Sequence, residues 1–461
     1  MTASSLSTPA RTALLATFGP DKILEHPGAP YDRDSSMYTA IPELVVFAEC
    51  TEDVQQLLRL ANEHGFAVVP RGGGTGTSGG CIALYGGVVL SLERMNRIVS
   101  IDTDNLVAVV QAGVITQALR DAAAARGLFY PPDPAGMDAS TIGGNVATNA
   151  GGPACVKYGV TRDYVLGVEA VTPTGERIRA GVQTRKGVVG YDMAHLLCGS
   201  EGTLGVITEM TLKLVPLPAA SVSMAAVFAS MADAMRAVTS ILTSGHLPCA
   251  LEFLDHKCLH LQGDDLPFRV PGERASLLIV ELDGVREQIV AEVETITARC
   301  TEHGATQIMP GGTPEERERI WSVRRETSTR IRNHAPIAIS EDIVVPIGSI
   351  APFIERVPEF EQEYGLDIFC FGHAGDGNIH LIVTAPERSG THRVDEGIRA
   401  IARLVLDMGG TLSGEHGVGE SKKLLLPMEI SPESLRLQRG IRHLFDPAGI
   451  LNPGKVFPEV E

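Results

Sequence analysis

Residues 70–80 read PRGGGTGTSGG and residues 131–152 read PPDPAGMDASTIGGNVATNAGG, and the fold turns on what these two glycine-rich stretches do. The first follows a β-type run, Ala67 to Val69, and its Gly74-Thr75-Gly76-Thr77-Ser78-Gly79 spells G-x-G-x-x-G, with Glu93 standing 19 residues beyond Gly74. A Rossmann dinucleotide site needs its third glycine to open a helix. The residues that follow, CIALYGGVVLSL, hold Gly86, Gly87 and β-branched side chains, and read as loop and strand. Successive glycines can still turn their N–H groups toward one point and form a nest for two phosphates; the alternative is a plain tight loop. In the second stretch Ser140 or Thr141 can cap a short helix whose free N–H groups and dipole suit an anion, while Gly143 and Gly144 permit close backbone approach. Two phosphate-suited elements in one domain point to a large dinucleotide.

Working outward, Leu44 to Phe47 reads as a strand, and Thr51 can cap a helix whose Val54, Leu57, Leu58 and Ala61 repeat at i, i+3, i+4, i+7. Strands follow around Val88 to Leu92 and Val107 to Gln111, then a helix from Thr116 to Arg126, and a strand from Val206 to Val215 that Pro216 and Pro218 end. From Ser221 the texture changes to two strand–helix–strand passes, 222–255 and 276–309, the pattern of a ferredoxin-like α+β layer. A charged helix from Pro314 to about Arg332 comes next, then strands near 337–345 and 367–373, a loop AGDGN and a strand NIHLIV. The tail FDPAGILNPGKVF carries Pro and Gly at turn spacing. The expected division is an N-terminal segment 1–40, a dinucleotide-binding domain 41–218, a cap domain 219–435 and a tail 436–461 that returns to the first domain. The start, MTASSLSTPARTALLATFGPDK, is Ser/Thr-rich but has a single Arg, and reads as a tethering helix ahead of an organelle-targeting peptide.

Composition narrows the partners. A chain of 461 residues implies two or three domains. With 39 Lys+Arg against 56 Asp+Glu the formal charge is -17, which argues against nucleic acid or an anionic membrane as main partner. An anionic substrate would then need a local basic pocket. The most apolar stretch, Ala219 to Ala232, falls short of the ~20 residues a spanning helix needs and is interrupted by Ser221, Ser223 and Ser230. The eight cysteines stand far apart with no C-x-x-C, so neither a disulfide framework nor a cysteine-ligated cluster is suggested. A reducing, cytoplasmic setting is expected, with a peripheral membrane or mitochondrial location as alternatives, and any redox chemistry must belong to an organic cofactor.

Two further motifs carry chemistry. FGHAGDGNIHL puts His373 and His380 at either end of a Gly-rich turn between two strands, and GGTLSGEHGVG puts Glu415 and His416 between glycines. Two imidazoles and a carboxylate can form a three-ligand site for Zn²⁺ or Mn²⁺ with positions left open; the competing reading is a set of unrelated surface histidines.

Taken with KYGVTRDYVLGVEAVTPTGE (157–176), CGSEGTLGVITEMTLKLVPLP (198–218) and LNPGKVF (451–457), the glycine stretches resemble the FAD-binding domain of the p-cresol methylhydroxylase and vanillyl-alcohol oxidase superfamily. Within it the chain is similar to the D-lactate dehydrogenase and glycolate oxidase flavin-subunit branch. The resemblance implies an α+β fold: a two-subdomain FAD-binding domain with a ferredoxin-like α+β substrate cap. It implies that Arg71, Gly72, Gly73, Gly74, Thr75, Gly76 and Thr77 hold the FAD pyrophosphate. Pro134, Ser140, Thr141, Gly144, Asn145, Thr148, Glu201, Gly205, Ile207 and Asn452 then approach the rest of FAD, which is non-covalent because the loop offers no His. It further implies a metal on His373, His380 and Glu415, His416 as general base, Asn378 touching substrate, and Arg324 of IWSVRRETS binding the substrate carboxylate, with Arg325 solvated. Trp321 fits the family pattern, as does Lys422, for which a packing or surface role is equally open. The implied reaction is FAD-dependent oxidation of a D-2-hydroxy acid. D-lactate leads, since Ser340 stands where the hydroxyglutarate branch has a lysine; glycolate and larger D-2-hydroxy acids follow. The implied electron acceptor is external (a quinone, a cytochrome or an electron-transfer flavoprotein), and a homodimer is the candidate assembly. Two readings from other classes compete: a metal-dependent hydrolase and a flavin electron-transfer subunit without its own substrate site.

Overall fold

In the computed structural model, residues 6–263, 266–385 and 391–459 are described. The ends of the expected N-terminal segment and C-terminal tail, 1–5 and 460–461, lie outside that range. The chain forms two compact units: one from Met1–Gly151, Val160–Leu217 and Glu415–Glu461, the other from Gly152–Gly159 and Pro218–Gly414. The chain therefore returns to the first unit at Glu415, earlier than the tail boundary expected at 436. The local cause is a change of bonding partner. Thr411 bridges Val344 and the Gly414 N–H is bonded to Asp342, whereas the Val418 and Gly419 amides donate to Glu201. Residues 152–159 likewise leave the first unit, because Lys157 Nζ and Tyr158 Oη bond the Asp283 carboxylate at 2.5 and 2.7 Å.

The first unit carries strands β1 (Ile23–Leu24), β2 (Leu44–Phe47), β3 (Val68–Arg71), β4 (Val88–Ser91), β5 (Ile98–Asp102), β6 (Val107–Gln111), β7 (Leu128–Phe129), β8 (Val165–Val171), β9 (Arg177–Gly181), β10 (Val206–Lys213) and β11 (Val215–Pro216). One sheet runs β1-β2-β4-β3, with Val45, Val89 and Val69 in parallel register. Both faces of β2 and β4 are covered, which is why they read as unbroken apolar runs. The second sheet, β5-β6-β10-β8-β9, is antiparallel, and β7 and β11 form a separate pair. The helix Thr51–His64 buries Val54, Leu57, Leu58 and Ala61, as its spacing predicts. Thr51 is its first residue and not its cap, because the hydroxyl is drawn to Glu169 at 2.8 Å; Cys50 stands at the cap without a side-chain bond. The N-terminal helix Thr8–Phe18 buries Ala10, Leu14 and Phe18 in the same core, each fully buried Leu or Phe contributing about 1.5–3 kcal/mol. At the open edge of β3, Val68 exchanges bonds with Ile450 and Asn452 (2.9 and 2.8 Å), so the LNPGKVF segment covers that edge.

The second unit is built on β12 (Ala220–Phe228), β13 (Ala250–Leu254), β14 (Ser276–Gly284), β15 (Ala305–Gly311), β16 (Ile337–Val344), β17 (Asp367–His373) and β18 (Asn378–Ala385). Its single antiparallel sheet runs β15-β12-β14-β13-β17-β18-β16. The first four strands, with helices Met231–Leu242 and Arg286–Glu302, take the 4-1-3-2 order of a ferredoxin-like layer. Along β12, Met224, Ala226 and Phe228 enter one core and Ala225 and Val227 the other, so helices cover both faces. The helix Ile350–Tyr364, which the sequence reading passes over, runs through Pro358 and lines the first core with Phe353 and Val357. The opposite face packs the helix Pro314–His334, opened by a capping box between Thr313 and Glu316.

Candidate functional site: a glycine-lined cavity and a buried imidazole pair

In the first unit both glycine stretches line one cavity. Residues 72–87 contain no helix, so the Rossmann context is absent, as the sequence implies. The loop packs hard on the start of the second stretch: a Cβ on Gly73 would collide with the Ala139 carbonyl oxygen, and one on Gly72 with the Thr141 hydroxyl. Thr141, not Ser140, caps the helix Ile142–Thr148, accepting from the Gly144 N–H at 3.3 Å; Ser140 and Asn145 bond Thr116 instead. Arg71 stiffens the loop from below, donating to the Pro30 carbonyl at 2.9 Å and to Cys81 Sγ at 3.2 Å. Thr77 Oγ1 is buried without a hydrogen-bond partner among the described residues, which fits a cavity wall shaped for a polar ligand. With FAD on this loop, as the resemblance implies, Gly73→Ala is expected to weaken its retention about 5- to 150-fold through about 1–3 kcal/mol of overpacking against a backbone atom, read as FAD released on gel filtration.

The rest of the wall includes Pro134, Thr148, Glu201, Gly205, Ile207, Glu415 and His416. Glu201 has φ 50° and accepts from the Val418 and Gly419 amides at 2.8 Å each. Burial pushes its carboxyl up, against the pull of those amides and of Lys422 and Lys455. Ser78 Oγ donates to the His416 carbonyl at 2.7 Å. Together these bonds hold Glu415 and His416 on the cavity wall, with His416 Nε2 3.7 Å from Glu415 Oε1. Asn452 reaches the cavity indirectly: its Nδ2 donates to the carbonyls of Gly80 and Glu201 at 3.0 and 2.8 Å.

In the second unit the β17–β18 hairpin pairs His373 with Asn378 and Phe371 with His380. The two imidazole Nε2 atoms lie 3.2 Å apart with the rings near perpendicular, and both residues are buried. The sequence reading missed two carboxylates that serve this cluster. Glu252, fully buried on β13 and in register with His373, bonds His373 Nδ1 through one oxygen and accepts from Arg324 Nε at 2.7 Å through the other. Asp342, fully buried on β16, accepts from Asn378 Nδ2 at 2.5 Å, Ser413 Oγ at 3.1 Å and the Gly414 N–H at 2.8 Å. In sequence Glu252 is a lone acid in the apolar run ALEFL, and Asp342 stands beside Glu341 ahead of the apolar run in SEDIVVP, which are the only local signals. Arg324 stacks over Phe371 at 4.6 Å, whereas Arg325 is exposed and pairs with Glu318, so the helix register sends the two arginines to different surroundings. Trp321 anchors the helix through Nε1 to Glu281 at 2.6 Å.

The donor set fits a divalent ion. With His373 Nδ1 engaged by a carboxylate, its Nε2 presents a lone pair toward the His380 nitrogen. Two nitrogens bound to one tetrahedral Zn²⁺ at about 2.0–2.1 Å each are separated by roughly 3.3 Å, close to the spacing found.

Comparison with known proteins places this architecture. Residues 42–181 match the FAD binding domain family and residues 217–456 the FAD linked oxidases, C-terminal domain. The chain is 39% identical over 430 residues to glycolate oxidase subunit GlcD of Bacillus subtilis, covering 93% of this chain and 92% of that one. It is 36% identical over 427 residues to the D-lactate dehydrogenase of Anaerostipes hadrus, covering 90% of each. Substrate-bound p-cresol methylhydroxylase shares the fold, with TM-score 0.77 at 19% identity over 98% of this chain and 96% of that one. Among the described residues no helix is long and apolar enough to cross a membrane. The chain belongs to the FAD-linked oxidases, has the fold of p-cresol methylhydroxylase, and is an FAD-dependent oxidoreductase.

Proposed function

We propose that the protein oxidises a D-2-hydroxy acid, D-lactate foremost, to the 2-oxo acid. The observation that carries this reading is the buried His373–His380 pair served by Glu252, with Arg324 on the same carboxylate. FAD sits non-covalently on Arg71 to Thr77, with Pro134, Ser140, Thr141, Gly144, Asn145, Thr148, Glu201, Gly205, Ile207 and Asn452 approaching the rest of it, since the 71–80 loop offers no His. His373, His380 and Glu415 hold a divalent metal, Zn²⁺ or Mn²⁺. Bound, FAD supplies the hydride acceptor and the metal the polarisation that acidifies the substrate hydroxyl. His416 takes the proton from that hydroxyl. Arg324, whose Nε is committed to Glu252, receives the substrate carboxylate on its terminal nitrogens. Asn378, whose Nδ2 is held by Asp342 and the Ile343 carbonyl, contacts the substrate.

The relatives' names, glycolate oxidase and D-lactate dehydrogenase, support a small 2-hydroxy acid. Ser340 supports one carboxylate over two, setting D-2-hydroxyglutarate behind D-lactate and glycolate. The hydrolase reading has no use for an FAD-binding domain, and an electron-transfer subunit has no use for the imidazole cluster. Electrons leave to a quinone, a cytochrome or an electron-transfer flavoprotein, and the working unit is a homodimer. The test is turnover of a panel of D- and L-2-hydroxy acids with an artificial dye acceptor. D-lactate is expected to give the highest kcat/KM and L-lactate none; preference for an L-acid, or for none of the panel, would remove the reading.

A further inference from the structure

The geometry points to Glu252 as a positioning residue that serves both arms of the site at once, fixing His373 through one carboxylate oxygen and Arg324 through the other. The inference rests on the metal reading above.

Glu252 sits in ALEFL, a strand buried at every position, and its side chain is fully enclosed. A carboxylate there loses its hydration, at a cost of several kcal/mol that only well-aligned partners offset. An apolar side chain of similar volume would stabilise such a strand as well or better. The partners found are the two groups whose direction the reaction needs. Strand pairing sets Glu252 directly opposite His373, so one carboxylate oxygen meets Nδ1 and holds that nitrogen protonated, leaving the Nε2 lone pair turned toward His380. The second oxygen takes Arg324 Nε at 2.7 Å, and Phe371 lies under the guanidinium at 4.6 Å. Two constraints on one planar group fix its plane, so the terminal nitrogens are pre-aimed and little entropy is lost when an anion binds. A single carboxylate thereby sets the metal-ligand nitrogen and the substrate-binding fork relative to each other.

The experiment uses the full-length FAD holoenzyme, stripped of metal by chelation and titrated with Zn²⁺ in a calorimeter, as wild type, Glu252→Gln and Glu252→Asp. KM and kcat for D-lactate are measured after reloading. Glu252→Gln keeps the volume but loses the charge that sets the His373 tautomer, and is expected to weaken Zn²⁺ about 10- to 100-fold, to raise KM, and to leave FAD content unchanged. Glu252→Asp keeps the charge but is one methylene too short for both partners, so its Zn²⁺ affinity should lie between the two. If Glu252→Gln fails to fold, Glu252→Asp carries the test through the same comparison. Wild-type Zn²⁺ affinity and KM in the folded variants would reduce Glu252 to a structural ion pair and overturn the inference. A wild type that takes up no Zn²⁺ would overturn the metal reading and this inference together, so the two failures are distinguishable.

Discussion

His416→Ala is expected to slow flavin reduction by D-lactate by about 10²- to 10⁴-fold, the range for a lost general base, while FAD stays bound. His416 lies on the cavity wall, where its backbone is held: Ser78 bonds its carbonyl, and Glu201 bonds the amides two and three residues on. Removing the imidazole therefore leaves the turn in place, and the loss should fall on the chemical step. The check is single-turnover mixing under anaerobic conditions with the flavin absorbance as readout. Small molecules carrying an imidazole should restore part of the rate. Near-normal reduction in the variant would take His416 out of that role.

The second large effect is expected at Arg324. Arg324→Ala removes the charge-assisted partner of an incoming carboxylate, and also leaves Glu252 buried without its cation, so kcat/KM should fall by at least two to three orders of magnitude, corresponding to about 3–5 kcal/mol. Arg324→Lys separates the two causes. An ammonium can neutralise Glu252 but cannot present a bidentate fork, so this variant should recover stability more fully than catalysis. Arg325→Ala, which removes an exposed pair with Glu318, should change kcat/KM little. Rapid-mixing flavin reduction together with thermal melting on the three variants reads both quantities. Impairment in Arg325→Ala alone would mean that the other arginine faces the substrate.

What could be read in advance was what depends on local spacing. The helix at 51–64 shows its buried face as a 3.6-residue repeat, and the cap domain shows its doubled strand–helix–strand pattern. The glycine stretches were legible because a Cβ-free backbone has a physical purpose at the contact: Gly73 lies against the Ala139 carbonyl and Gly72 against the Thr141 hydroxyl. What escaped depends on partners distant in sequence. Thr51 looked like a cap until Glu169, 118 residues away, claimed its hydroxyl. β5, with most of its side chains turned outward, shows no apolar alternation. Glu252 gains meaning only when β13 pairs with β17 and brings it to His373, 121 residues on. The early return of the chain at Glu415 was hidden in the same way, since Asp342 holds Gly414 and Glu201 holds Val418, and neither acid is near in sequence.

The central claim, that the flavin is reduced directly by C2 of a D-2-hydroxy acid, is tested most directly by mixing the oxidised holoenzyme anaerobically with D-lactate, C2-deuterated D-lactate and L-lactate. The account predicts that D-lactate bleaches the flavin within a single turnover, that the deuterated acid bleaches it more slowly, and that L-lactate leaves it yellow. Flavin that stays oxidised with D-lactate, or that bleaches equally with both enantiomers, would contradict it.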